Sequence, residues 1–547
     1  MSDIEITFDN GDIKKYPRFT TYLDMAKDFS NEKNIIGVCV NNKVVSLKER
    51  ADINQKIKFL TMADTNGNRI YTAGLKMIFE YSVRKTFPNI NVKFSYSLPR
   101  GIVAELENEK YLTNDDISLI RKTMAGVVTS DLVIEKLTVK SSDGIRYYDE
   151  LGNHVKSENI SNISDNTVVL YRLDDLINYY YSEMPISTGV INKYELKYLG
   201  RNLVVINFPC DVDDGIIPEY VNYKGILNSY IEGKNWLNTM HVPYINDINR
   251  EISKGKINNF IKSSELHFNL GINETAMHIA ENSNIKCVMI AGPSSSGKTT
   301  VTKRLANYLE LYGLEPIVIS IDDYFHEREN SPKDANGEYD YECLQACDIE
   351  YLTKDVINLF NGEEVDLPRF NFISGHKELS GHRIKLKDNS IILFEGLHAL
   401  NNELLPMIPD TIKYKIYISP FIPLCLDEHN YISCYDLRLI RRIVRDFRTR
   451  GSAVEFSISY WRKVRLGEEK YIIPFVHQAD KIINTSLPYE VGALKVFVEP
   501  LLYSVPNTSE YYNEARRLLS FLKQFFSINS ESIPKDSIVR EFIGGAD

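Results

Sequence analysis

The sequence predicts an α/β protein in which a parallel-sheet domain follows a small sheet crossed by one helix and a mixed α+β region. From Ile285 onward, short β-like runs alternate with helical segments, the rhythm of βαβ units. Inside that stretch, a Gly/Ser-rich segment from Gly292 to Thr300 stands between an apolar run and an amphipathic one. At the front, Asn10-Gly11 separates two β-like runs, a strong hairpin signal.

At 547 residues the chain has room for about three or four domains. With 43% hydrophobic and 25% charged residues it carries the apolar material for several cores, which excludes collagen-like and disordered classes. Residues 1–62 read as strand Ile4–Phe8, the hairpin, a helix near Tyr22–Phe29 and strand Ile35–Val40. In the next region, 63–245, Leu75, Ile78, Phe79 and Val83 recur at helical spacing, and Phe87-Pro88 ends that helix. Asn202–Phe208 reads as a buried strand, and the polar run Asn153–Asn166 as a loop. A helical connector, 246–284, leads into 285–505, where strands are expected at Ile285–Ile290, Pro316–Ile321, Ser390–Phe394, Tyr414–Ile418 and Lys481–Ile483. The remaining segment, 506–547, is helical around Ala515–Phe526 and is expected to pack on a neighbouring domain. No repeat of solenoid period occurs.

Lys and Arg total 64 against 74 Asp and Glu, a net charge of −10 that disfavours constitutive binding to a phosphate backbone. The front begins Met1-Ser2-Asp3-Ile4-Glu5-Ile6, without a positive or apolar leader. No run approaches the ~18 apolar residues of a membrane helix, so a cytoplasmic location and no membrane partner are expected. Cys39, Cys210, Cys287, Cys343, Cys347, Cys425 and Cys434 form no CxxC pair and no zinc-ligand grouping, and read as reduced, buried thiols.

Four segments carry chemistry. Gly292-Pro293-Ser294-Ser295-Ser296-Gly297-Lys298-Thr299-Thr300 fits GxxxxGK[ST]: the glycines let backbone N–H groups surround a phosphate, Lys298 reaches the β/γ-phosphates, and Thr299 offers a hydroxyl to Mg²⁺. The strand Ser390–Phe394 ends in Glu395, placed to hold the water shell of the metal. Another strand ends in Asp322-Asp323-Tyr324-Phe325, and Asp322 is the candidate base for an acceptor hydroxyl. Finally, Arg438, Arg441, Arg442, Arg445 and Arg448 would gather on one helix face that repels itself unless it meets an anion, such as a transferring phosphoryl group.

In this order the four segments resemble the uridine kinase and phosphoribulokinase family of P-loop kinases, over roughly Ile285 to Pro500. The resemblance implies ATP on Gly292, Ser294, Ser295, Ser296, Gly297, Lys298, Thr299 and Thr300, with Arg442 beside it. It implies catalytic roles for Asp322, Lys298, Arg441 and Arg445, and Mg²⁺ at Thr299 and Glu395. For the acceptor it implies Asp322, Tyr324, Glu342, Phe370 and Arg438, with Glu342 and Arg438 on ribose hydroxyls. The base-reading YDF segment of uridine kinases is replaced by Phe370-Asn371-Phe372, and the nearby histidine is shifted to His376. Residues 1–62 resemble a TGS β-grasp domain, and 63–245 resemble the second additional domain of threonyl-tRNA synthetase. That domain's HxxxH pair would fall on Ala73 and Met77, so zinc-assisted editing is not expected.

The expected activity is ATP- and Mg²⁺-dependent phosphoryl transfer to a small nucleoside-like acceptor at its 5′-hydroxyl. Pantothenate or a sugar phosphate are alternatives as acceptor. An RNA- or ribosome-associated regulator that binds RNA through its N-terminal half is an alternative of another class. The oligomeric state is open, a homo-oligomer included.

Overall fold

The computed structural model describes residues 3–29, 34–99, 101–211, 213, 215–334, 337–371 and 374–545. Along β1 (Asp3–Phe8) the side chains of Ile4, Ile6 and Phe8 point inward, and Gly11, at φ +90°, turns the chain back into β2 (Ile13–Pro17). Helix α1 (Tyr22–Ala26), capped by Thr21, is shorter than expected and packs Tyr22 and Met25 onto the sheet. Strands β3 (Gly37–Val40), β4 (Lys43–Val45) and β5 (Gln55–Leu60) complete a five-stranded sheet, order β2-β1-β5-β3-β4, with β1 and β5 parallel.

The middle unit is built on α2 (Thr65–Thr86), whose residues Ile70 to Val83 are almost all buried, Ala73 and Met77 among them. Around it lie β6 (Asn91–Leu98), β7 (Gly101–Glu107), α3 (Asn114–Thr129), β8 (Ile134–Lys140), α4 (Ser141–Glu150), α5 (His154–Ile163), β9 (Thr167–Leu173), β10 (Leu176–Asn178), β11 (Glu195–Gly200) and β12 (Leu203–Asn207). They form two antiparallel sheets, β11-β12-β7-β6 and β10-β9-β8. Helix α5 corrects the expected loop at Asn153–Asn166. Its buried face is Lys156, Ser157, Asn159 and Ile160, mostly polar side chains that find partners in the fold, so no apolar period marks it.

Helices α6 (Lys224–Thr239), α7 (Ile245–Ser253) and α8 (Ile257–Glu281) lead into the third unit. Its elements are β13 (Cys287–Ala291), α9 (Lys298–Leu311), β14 (Glu315–Ser320), α10 (Ile349–Phe360), β15 (Val365–Asn371), β16 (His376–Ile384), β17 (Ser390–Gly396), β18 (Lys413–Ser419), β19 (Cys425–Asp427), β20 (Asn430–Tyr431), α11 (Cys434–Arg450), α12 (Val454–Tyr471), β21 (Lys481–Asn484), α13 (Glu490–Tyr503), α14 (Tyr512–Leu522) and α15 (Arg540–Ile543). All five expected strands join one parallel sheet, order β14-β17-β13-β18-β21. Both of its faces are covered, as parallel sheets require. Val288 and Ile290 of β13 join one core with α8, α9, α11 and α13, while Cys287, Met289 and Ala291 join a second core on the other face.

Neither the connector nor the C-terminal segment stands apart. Phe268, Ile272 and Ile279 of α8, and Leu518, Ile538, Val539 and Phe542 near the C-terminus, belong to the same core as Val288. A half-buried chain of charges also crosses the molecule: Arg69 of α2 donates to Glu514 of α14 at 2.5 and 3.0 Å, and Arg517 donates to both Glu514 and Asp436 of α11. The seven cysteines are free thiols. Among the described residues, no helix is long and apolar enough to cross a membrane.

Candidate active site

The end of β13 and the start of α9 bracket the loop 292–297, and local contacts fix its residue types. A Cβ on Gly292 would lie 2.3 Å from the Ile418 carbonyl of β18, and Gly297 caps α9 at φ +89°. Ser295, at φ +60°, adopts the same left-handed region. A loop that turns its N–H groups inward turns its carbonyls outward, and these need donors. Helix α11 supplies them. Arg438 Nε donates to the Ser294 carbonyl at 3.0 Å, and Arg441 Nη1 to those of Ser295 and Ser296 at 3.3 and 3.4 Å. Arg442 Nη1 reaches Ser294 Oγ at 3.1 Å, and Thr485 Oγ1 donates to the Ser296 carbonyl at 2.6 Å.

The arginines thus divide. Arg438 and Arg441 are fully buried and neutralised by the protein itself, by Glu468 at 2.7 Å and by Glu490 at 2.9 and 2.7 Å, so the expected need for an outside anion does not apply to them. Arg448 turns instead to the carbonyls of Glu541 and Phe542. Arg445 pairs with Asp446, and its charge and that of Arg450 are felt at Asp322.

Asp322 follows β14 in the short turn Ile321–Tyr324. Burial raises its pKa, while Lys298, Arg450 and Arg445 oppose the rise. Glu395 ends β17, paired in register with Ser320 of β14 and Ile290 of β13, and it accepts from Thr299 Oγ1 and Ser320 Oγ at 3.4 Å each. Burial pushes it up to about 7; Lys298 and the Thr299 hydroxyl counter that, and the charges of Asp322 and Glu541 add to it. Glu342 is likewise pushed up to about 7 by burial, against Arg442, with Asp322 and Asp340 raising it further and Lys298 opposing. Its side chain lies against Gly467 of α12, where a Cβ would come within 2.5 Å of Glu342 Cβ. Lys298, Asp322, Glu342 and Glu395 therefore share one electrostatic neighbourhood.

One expected acceptor residue turns its hydroxyl into the core. Tyr324 is 1% exposed and donates its hydroxyl to Asp355 of α10 at 3.0 Å, a core position. Phe370 lies on β15 with its N–H donating to Asp323 Oδ1 and its ring 6.0 Å from that of Phe325. Phe372 lies outside the described residues. The sequence reading missed His398, which follows β17: it is buried, neither ring nitrogen has a hydrogen-bond partner, and burial pushes its pKa down to about 4. It also missed Glu468, one of several charged residues on α12, and Glu490, an acid at the start of the mostly apolar α13.

Residues 287–490 match the Phosphoribulokinase / Uridine kinase family. The uridine kinases of Staphylococcus aureus strains JH9 and Newman are each 31% identical to this chain over 211 residues, covering 38% of it and 90% of those proteins. A solved structure of a possible uridine kinase from Bacillus stearothermophilus aligns with 40% of this chain and all of its own, at 20% identity and a TM-score of 0.28. With its phosphate loop, strand-end carboxylates and arginine-bearing helix inside the matched span, the chain belongs to the phosphoribulokinase and uridine kinase family and is a P-loop kinase.

Proposed function

We propose that the protein transfers the γ-phosphoryl group of ATP to the 5′-hydroxyl of a nucleoside of the uridine or cytidine kind. The observation that carries this reading is Asp322, a strand-end carboxylate beside Lys298 at the mouth of the phosphate loop. Asp322 takes the proton of the acceptor hydroxyl as that oxygen attacks the γ-phosphorus and the bond to the bridging oxygen of ADP breaks. Lys298 and Arg445 stabilise charge on the phosphoryl oxygens, and Arg441 and Arg442 hold the loop that positions them. Thr299, Ser320 and Glu395 form an all-oxygen donor set that suits Mg²⁺, which would neutralise β- and γ-phosphate charge when bound. Glu342 and Arg438, whose Nη2 has no protein partner, would take the ribose diol.

The test is ADP release by the full-length protein with Mg-ATP against nucleosides, pantothenate and ribulose 5-phosphate. Turnover with uridine or cytidine, lost in Asp322→Asn, is the expected result. Turnover only with another alcohol would move the acceptor class, and ADP release that no acceptor raises would remove the catalytic reading. Lys298→Ala weakens both ATP binding and turnover.

The front half extends the proposal. The mixed sheet with a parallel β1–β5 pair supports a TGS-like β-grasp domain over 1–62, and the helix-and-sheet unit over 63–245 is read as synthetase-like. Such modules point to structured RNA as a partner. Filter binding of total tRNA to the full chain tests this, and binding no tighter than to the same mass of polyadenylate would end it.

A further inference from the structure

The segment after Val505 lies beyond the span matched to the family, yet it returns to the phosphate loop. Its main chain is firmly held. Arg448 of α11 donates from Nε to the Phe542 carbonyl and from Nη2 to the Glu541 carbonyl, each at 3.0 Å. Arg540 donates to the carbonyls of Ser530, Ile533 and Gly544 at 2.8, 2.7 and 3.2 Å. The Ser537 hydroxyl lies 3.1 Å from that of Tyr489, and Ile538, Val539 and Phe542 are fully buried. Ile538 packs on the loop itself: a Cβ on Gly297 would lie 2.3 Å from its Cδ1.

None of these anchors uses the Glu541 carboxylate. It points instead at the first turn of α9, where Thr300 Oγ1 donates to Glu541 Oε2 at 2.6 Å. Its charge is also felt at Glu395, across the loop. The first turn of a helix after a glycine-rich loop carries unpaired N–H groups and the positive end of the helix dipole, which attract an anion. The anion beside Thr300 is the protein's own Glu541 carboxylate.

We propose that Glu541 is a nucleotide-site residue that competes with the phosphate chain of ATP for the Thr300 hydroxyl and the N-terminus of α9, so that the C-terminal segment sets nucleotide affinity. This deepens the kinase reading above and rests on it. The carboxylate has two opposed effects. It stabilises the loop as an acid beside the first turn of α9, and it repels phosphates that would take its place. A ligand without phosphates does not meet that repulsion.

Titration calorimetry on the full-length protein tests this with ATP, inorganic tripolyphosphate and adenosine, each with and without Mg²⁺, for the unaltered protein, Glu541→Gln and Glu541→Ala. The expected result is that ATP and tripolyphosphate bind about tenfold more tightly to both variants while adenosine affinity stays the same. Unchanged phosphate affinity would reduce Glu541 to a helix-stabilising acid and overturn the proposal. Weaker binding confined to the Mg²⁺ titrations would overturn it in favour of a metal-associated acid, and equal tightening of adenosine would mean general loosening of the site. Glu541→Gln keeps shape and hydrogen-bonding capacity, so it carries the test where Glu541→Ala fails to fold. An unaltered protein that binds no ATP sinks the kinase reading itself, whereas ATP binding that ignores residue 541 sinks only this inference.

Discussion

Lys156 in α5 and Lys298 in α9 are both cations set among carboxylates, one in the middle unit and one in the kinase unit. Around Lys156 every charged group is answered from within. Lys156 reaches Asn178 and donates to His429 Nδ1 at 2.7 Å, His429 Nε2 lies 3.3 Å from Glu80, and Glu80 accepts from Asn178 and Tyr180 at 2.6 and 2.8 Å. Lys76 donates to the His429 carbonyl at 3.0 Å, and burial pushes its pKa down to about 8. Asp427, Glu428 and His429 come close enough together to suggest a metal, but both ring nitrogens of His429 are already engaged. Near the phosphate loop, by contrast, Ser295 Oγ, Ser296 Oγ, Arg438 Nη2 and both nitrogens of His398 are buried without hydrogen-bond partners. Buried charge does not by itself mark a site, nor does a single unmet hydroxyl such as Tyr148 Oη beside Lys156; several unmet groups gathered on and against one phosphate loop do.

The largest effect that tests this contrast is Asp322→Asn, which should lower kcat by about 10³-fold while calorimetry finds ATP affinity and urea unfolding little changed. Persistent turnover would break the comparison on the kinase side. Lys156→Met should do the reverse: removing one partner from a closed buried network costs about 3 kcal/mol in urea unfolding, and kcat of the folded fraction is retained. Next in size is Gly467→Ala, whose new methyl pushes on Glu342. The KM for the acceptor should rise about tenfold with that for ATP unchanged, and equal changes in both would detach Glu342 from the acceptor.

The smallest effect is in pH dependence. The folded pKa of Glu342, about 7, lies above its ordinary value of 4.5, so the folded chain holds this proton longer than the unfolded one. Its contribution is complete below 4.5 and is lost as pH rises through about 7, so the Tm of the nucleotide-free protein falls across that window. Glu342→Gln should make that fall shallower without abolishing it, because Glu395 titrates in the same range. An unaltered slope would place the Glu342 carboxylate in a more polar setting than the geometry gives it.

What could be read from the sequence followed from local signals. The loop Gly292–Thr300, the five parallel strands and the strand-end acids Asp322 and Glu395 each depend on residues within a few positions of one another. The partners of the arginines do not: Glu468 and Glu490 stand 30 and 49 residues from Arg438 and Arg441, so the arginine face looked unpaired in one dimension. Tyr324 took its expected role from a motif, but its neighbour Asp355 on α10 makes it part of the core. His398 and Glu541 carried no signal, since a lone histidine after a strand and a lone acid far along the chain are ordinary residues until the fold brings them to the loop.

The placement of Ile538, Val539 and Phe542 in the same core as Val288 and Ile290 bears on the order in which the protein is made. Domains fold as they leave the ribosome, N-terminal ones first. The front unit has its own core and can close early. The kinase unit cannot, because the segment that seals its phosphate-loop face is synthesised long after the loop. Until it arrives, the apolar faces of α11 and α13 wait uncovered, which makes synthesis of this segment the step that ends their exposure to aggregation.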